Sequence, residues 1–345
     1  MISFEPVFTE DKSIGLFNPK VDDIYHSNTG AYKEAFDKFV IPSELENFLH
    51  LKKHIRILDI CYGMGYNTRA VIKTCLKIDS DVAIFIDALE FDAAVFAFSF
   101  LANFPDDFSI LDFLDWNIFK NPKVIEGIYE ILSNYKFDNF IDIKIKQFFE
   151  ENKKSFDVNT PSLEKLSILH NIYYRNISNR YIKNNTKAQK NPNISLVAHL
   201  DDARNTIRQL EGKYNFVFLD SFTPIKLPTL WTVEFFKEIY RLLDEDGVLT
   251  TYSNSAIIRN GMKEAGFFVG KTKYGTIAYK NQELIKNPLD EKSLGLLDTK
   301  AGIPFYDKGL NNRAEEILAL REEMVKNSDK QNSSQYLKKY NKMEK

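Results

Sequence analysis

The chain reads as an α/β protein built on a mostly parallel, doubly wound sheet. Three observations predict this: short apolar strands that end on an acid, a glycine turn between the first such strand and a helix, and a strand–helix alternation that resumes after a long interruption. The 345 residues are 44% hydrophobic, enough for one large domain or a core domain with an accessory one.

The first fifty residues are mixed, with a helix expected from Ala31 to Val40 on apolar positions Ala31, Ala35, Phe36 and Phe39. Arg56–Ile60 is a short apolar strand, followed by a glycine turn and a helical stretch from Thr68 to Ile78. Ala83–Glu90 is a second, near-continuous apolar strand of the kind buried on both faces of a parallel sheet. A helix from Asp92 to Leu101 follows.

The region of about 105–193 interrupts this rhythm with helical patches at Phe119–Tyr135 and Phe140–Glu151. No acid occurs between Asn171 and Leu200, whereas Arg175, Arg180, Lys183, Lys187 and Lys190 stand there among tyrosines. Such a segment is either an RNA-backbone surface or a solvated helical face. The alternation resumes with strands at Ser195–His199 and Asn215–Asp220, a helix at Thr232–Leu243 and a strand at Gly247–Tyr252. A helix at Ala256–Ala265 and a closing strand pair at Phe267–Lys271 and Thr276–Lys280 complete the pattern. Asn312–Lys326 reads as a charged helix, and the Lys-rich tail beyond it as mobile. These shifts divide the chain into an N-terminal segment, 1–50, a core domain, 51–285, with the helical insertion, and a C-terminal segment, 286–345.

A formal charge of −2 does not mark the whole chain as a nucleic-acid binder, so any RNA surface must be local. Cys61 and Cys75 cannot form a disulfide framework, no Cys/His cluster has metal-ligand spacing, and no apolar run spans a membrane. With no signal-peptide pattern at the start, the expectation is a cytoplasmic protein without metal or membrane; the sequence specifies no oligomeric state.

The strongest local signal is Asp59-Ile-Cys-Tyr62-Gly63-Met-Gly65-Tyr-Asn67, between strand and helix. Glycines permit the turn and close approach to a ligand, and an acid before them suits a cationic or amine-bearing ligand such as S-adenosylmethionine. Glu90 ends the second strand, where a carboxylate can accept both hydroxyls of a ribose. Asp201 and Asp202 follow the third; Asp202 is favoured for an adenine amino group, and Asp201 serves equally well as a helix cap. Three acids after three successive strands exceed what a nicotinamide dinucleotide site uses.

Asp220-Ser-Phe222-Thr-Pro224 ends the fourth strand, followed by Lys226-Leu-Pro228-Thr-Leu-Trp231. This block resembles the methyltransferase domain of the bacterial MnmC family, whose pattern reads roughly L-D-G-F-A-P-x-K-N-P-x-L-W. The likeness extends through Phe235, Gly247–Ser253, Arg259 and Glu264–Phe267, and Asp59, Gly63, Gly65 and Asn67 fit the family's cofactor loop. Tyr25-His-Ser27-Asn-Thr-Gly30 through Glu34 resembles its N-terminal motif, and Ala301–Asp307 a segment of its stand-alone members. About two-thirds of the chain is covered. Departures are Cys61 for the loop's first glycine, Ser221 for a glycine, the absence of a basic ending after Gly275, and the insertion.

The resemblance implies a class I S-adenosylmethionine-dependent methyltransferase, Rossmann-like, with seven strands and helices on both faces of the sheet. It implies tRNA as partner, methylating 5-aminomethyl-2-thiouridine at the wobble position, without the oxidase domain of fused members. Asp220 becomes the catalytic acid. Asp59, Tyr62, Gly63, Gly65, Asn67, Glu90, Asp201 and Asp202 become the cofactor residues. Tyr25, Ser27, Phe222, Pro224, Lys226 and Trp231 become the substrate residues, Trp231 being equally suited to the core. Two alternatives remain open: another Rossmann-like amine transferase, and a non-catalytic tRNA-binding relative to which Cys61 points.

Overall fold

The computed structural model describes residues 4–19, 22–24, 30–79, 81–104, 108–152 and 193–343. Ten strands occur among them: β1 (Glu5–Phe8), β2 (Ile14–Asn18), β3 (Asp23–Ile24), β4 (His54–Ile60), β5 (Ala83–Glu90), β6 (Ile194–Leu200), β7 (Tyr214–Leu219), β8 (Leu243–Thr251), β9 (Phe268–Lys271) and β10 (Thr276–Tyr279). The chain forms two compact units. The first draws on 1–34 and 62–200, the second on 35–61 and 201–345.

In the first unit, β5 and β6 pair in parallel from Ile84↔Ile194 to Glu90↔Leu200. Ile84, Ile86, Ala88 and Leu89 are buried, as a near-continuous apolar strand requires. Helix Tyr66–Ile78 opens at Gly65, whose left-handed backbone (φ 74°) turns the chain. Helix Ala93–Leu101 is apolar on every side and therefore buried; the Asp92 side chain caps it by accepting from the amides of Ala94 and Val95. Helix Pro122–Leu132 of the insertion packs on it so closely that a Cβ on Gly127 would lie 2.9 Å from the Ala94 Cα. Helix Ile143–Glu151 also forms where the sequence predicts one.

The mixed N-terminal segment holds an unexpected antiparallel sheet, β1-β2-β3. Its turn is closed by side chains: the Thr9 hydroxyl and the Ser13 amide both donate to Asp11 Oδ1, at 2.7 and 2.9 Å. The Tyr66 hydroxyl accepts from the Ile14 amide and donates to its carbonyl, tying β2 to the helix after the glycine loop.

The second unit carries five strands in the order β4-β7-β8-β10-β9. The first three are parallel; β10 runs antiparallel to β8 and β9. The two units thus supply the seven strands that the sequence predicts, in a mostly parallel arrangement. Register places the carboxyl ends of three strands side by side: Ile60 opposite Leu219, and Leu219 opposite Thr251. The Asp220 amide extends the ladder by donating to the Ile60 carbonyl at 3.2 Å.

Helix Val233–Leu242 is capped by the Thr232 hydroxyl, and helix Ala256–Glu264 stops at Gly266 (φ 108°). Helix Ala314–Asn327 forms as expected. Beyond it, where a mobile tail is expected, a helix spans Ser333–Met343. The physical reason is an anchor: the Tyr336 hydroxyl donates to the Glu291 carbonyl and sits where a Cβ on Gly295 would lie, 2.1 Å away.

Candidate active site

The first unit holds the glycine loop and Glu90. Gly63 and Gly65 both adopt positive φ, 56° and 74°. A Cβ on Gly65 would stand 2.3 Å from the Tyr62 hydroxyl oxygen, so bare backbone is required twice over at this position. Tyr62 is itself buried, its ring tilted against Phe96, and its amide donates to the Leu89 carbonyl. It shapes the loop from beneath. Asn67 is buried in the first turn of the following helix.

The Glu90 carboxylate accepts the Gly63 amide on one oxygen at 2.8 Å. It accepts the amides of Phe91 and Asp92 on the other, each at 2.9 Å. Burial nevertheless dominates and pushes its carboxyl up to about 7, against the lowering effect of those amides. A buried acid coupled by one hydrogen bond to a glycine loop suits a ligand that brings hydroxyl donors to it.

The second unit holds the remaining strand-end acids. Asp59, in β4, is wholly buried. Asp201 is exposed and accepts from the Asp202 amide. Asp202 caps helix Ala203–Gln209 and is gripped by the Arg204 guanidinium at 2.7 Å. Burial raises its carboxyl, but the hydrogen bonds from Arg204 outweigh that and hold it below the usual range. Arg204 also reaches the fully buried Asp307 at 3.2 Å and the Asn312 carbonyl at 2.7 Å. Asp202 therefore has structural work that the sequence does not reveal, and any adenine contact shares its oxygens with Arg204.

Asp220 is half-buried beyond the end of β7. The turn after it is pinned from two sides. The Tyr252 hydroxyl donates to the Ser221 carbonyl at 2.8 Å, and the Trp231 indole N–H donates to the Phe222 carbonyl at 2.9 Å. The Phe222 side chain is partly exposed and Lys226 is exposed. Pro224 is buried and shapes the turn. Trp231 requires correction as a base-stacking residue: with 0% exposure and its ring edge-on to Tyr252, it is core. Tyr25, Ser27 and the basic residues from Arg175 to Lys190 lie outside the described residues.

Sequence reasoning missed Lys38 and Tyr252. Lys38 is half-buried on the helical turn Phe36–Val40, its ammonium 5.5 Å from the centre of the Tyr252 ring. The signal for it was its place one turn beyond Glu34; Tyr252 stood within the matching strand but carries no charge to single it out.

Residues 164–283 match the family model described as S-adenosyl-L-methionine-dependent methyltransferase. The chain is 36% identical, over 78 residues, to the tRNA 5-methylaminomethyl-2-thiouridine biosynthesis bifunctional protein MnmC of Azoarcus sp. (strain BH72). The chain thus carries an S-adenosyl-L-methionine-dependent methyltransferase domain and is similar to MnmC proteins over part of its length. That alignment spans 23% of this chain and only 12% of the Azoarcus protein. An uncharacterized protein of Methanocaldococcus jannaschii is similar over far more: 28% identity across 92% of this chain and 71% of the relative. Among solved structures, MnmC2 from Aquifex aeolicus superimposes with a TM-score of 0.62 at 24% identity, over 95% of this chain and 87% of that one. The fold is that of S-adenosyl-L-methionine-dependent methyltransferases, and the cofactor is S-adenosyl-L-methionine. The residues of each unit suit parts of it: in the first, the buried Glu90 carboxylate, tied to the Gly63 amide, suits ribose hydroxyls; in the second, the buried Asp59 carboxylate suits a cationic or amine-bearing group. No group of three or more His, Cys, Asp or Glu among the described residues could hold a metal ion. No helix among them is long and apolar enough to cross a membrane.

Proposed function

We propose that the chain N-methylates the exocyclic primary amine of 5-aminomethyl-2-thiouridine at the tRNA wobble position, giving 5-methylaminomethyl-2-thiouridine. The observation that carries this is the Asp220–Trp231 turn. It follows the motif of the MnmC methyltransferases, and it sets a carboxylate at a strand's carboxyl end beside a partly exposed aromatic ring, Phe222, and an exposed cation, Lys226. The similarity to MnmC proteins, named for 5-methylaminomethyl-2-thiouridine biosynthesis in tRNA, supports the choice of substrate.

Bound S-adenosyl-L-methionine supplies an electrophilic methyl group; the protein's task is to present the acceptor. Glu90 holds the ribose hydroxyls, and Asp59 and Asp202 contribute to the rest of the cofactor site. At physiological pH an alkylamine is mostly protonated and has no lone pair to offer. Asp220 draws the ammonium in, accepts its N–H groups as hydrogen bonds and holds the nitrogen in line once a proton has left. Phe222 offers a face on which an extruded base stacks, and Lys226 a phosphate contact.

The test is methyl transfer from labelled cofactor to tRNA carrying 5-aminomethyluridine, followed by nucleoside mass spectrometry. The expected product is the 5-methylaminomethyl nucleoside. Labelling of small amines with inert tRNA would refute the reading, as would cofactor binding without transfer.

A further inference from the structure

In the second unit the aromatic frame of the Asp220 turn also carries a charged group, Lys38, to which the proposed transfer assigns no role. Lys38 enters from the helical turn Phe36–Val40, half-buried, with its ammonium over the Tyr252 ring. Tyr252 in turn fixes the Ser221 carbonyl, next to Asp220, and packs edge-on against Trp231 at 5.9 Å. Lys38 is thus held by the same aromatic frame that holds the Asp220 turn. The groups known to face it are Asp220, from the loop after β7, and the Tyr252 phenol, from the end of β8; Asp37 adjoins it on its own turn. Burial lowers the Lys38 ammonium below the ordinary lysine range, and the Asp220 charge offsets part of that loss.

A positive charge held over the Tyr252 ring, whose hydroxyl fixes the residue next to Asp220, changes what happens when a second ammonium arrives at that carboxylate. A lone Asp220 would stabilise the protonated acceptor, which binds well but cannot react. Two cations sharing one carboxylate repel each other, and the one able to release a proton to solvent does so.

We propose that Lys38 is a charge-tuning positioning residue that shares Asp220 with the acceptor amine and so favours the amine's neutral, reactive form. The inference rests on Asp220 as the acceptor-binding acid. The step balances simply: one N–H bond of the acceptor ammonium breaks, its proton passes to water, and the electron pair stays on nitrogen. Lys38 neither gives nor takes a proton in this step.

The test is the pH dependence of kcat, between pH 6 and 10, for the native enzyme, Lys38→Gln and Lys38→Arg, on tRNA carrying the 5-aminomethyl group. In the enzyme–substrate complex the acid limb of that profile reports the bound amine. Lys38→Gln is expected to move the limb up by about one pH unit, lowering the rate about tenfold near neutrality and converging with the native rate at high pH. Lys38→Arg keeps the charge and the native limb. A loss of equal size at every pH, or an unmoved profile, would overturn the role of Lys38 while leaving the acceptor assignment intact. A native enzyme inactive on this tRNA would overturn both. Should Lys38→Gln fail to fold, Lys38→Met, which keeps the alkyl stem and drops the charge, carries the same comparison.

Discussion

Glu90→Gln removes one ionisable group and keeps the side chain's shape. In the folded protein burial places the Glu90 carboxyl at about 7, against an ordinary value of 4.5. The native state therefore keeps its proton where the unfolded chain has lost it. Stability linked to this group is fully present below the unfolded value, begins to fall above pH 4.5, and is gone once pH passes the folded value near 7. At about 1.36 kcal/mol per pH unit, that interval is worth about 3 kcal/mol. The Gln variant has no such loss. It leaves one or two of the three amides that Glu90 now satisfies without an acceptor, at a pH-independent cost of about 1–3 kcal/mol. Urea unfolding of both proteins at half-unit steps from pH 5 to 8 reads the difference directly. The native protein should lose its advantage over the variant steadily up to pH 7 and hold a constant difference above it. Parallel stability curves would refute the burial argument.

Asp220→Asn should lower transfer to the amine by about 10²–10⁴-fold with little change in cofactor affinity measured by calorimetry. Cys61 adopts φ 65°, a left-handed conformation that costs a side-chain residue free energy; Cys61→Gly should raise stability by about 1 kcal/mol in chemical unfolding. Arg204→Ala removes the cation from the fully buried Asp307 and leaves it only the amides of Asn311 and Asn312; it should cost about 2–3 kcal/mol by the same measurement, more than an exposed ion pair would.

The strand–helix alternation was legible because the central strands are near-continuous apolar runs and several of the helices between them show the helical period and a cap or stop residue. β4, β5 and β7 need no more than that. β1 and β2 were not legible: their turn is closed by Asp11 hydrogen bonds that have no spacing signature distinct from an ordinary loop. The tail helix was hidden for a similar reason, since a single tyrosine hydroxyl and a glycine 41 positions earlier decide that it docks. Asp220 stood out because a strand ends on it. Trp231 carried two readings with one residue type, and only its complete burial separates them. Lys38 was invisible because Asp220, whose charge acts on it, lies 182 positions away in the sequence.

The pairing of β4 with β7 has a consequence for the order in which the protein is made. Ile60 and Leu219 are register partners 159 residues apart, with the whole span 62–200 synthesised between them. At roughly 5–20 residues per second, the apolar edge of β4 waits about 8–30 s on the ribosome for its neighbour. During that time Ile55, Ile57 and Leu58, all buried in the finished protein, have no strand β7 to cover them. The long wait follows from the sequence separation alone, so bringing β4 and β7 closer in the chain would shorten it in proportion.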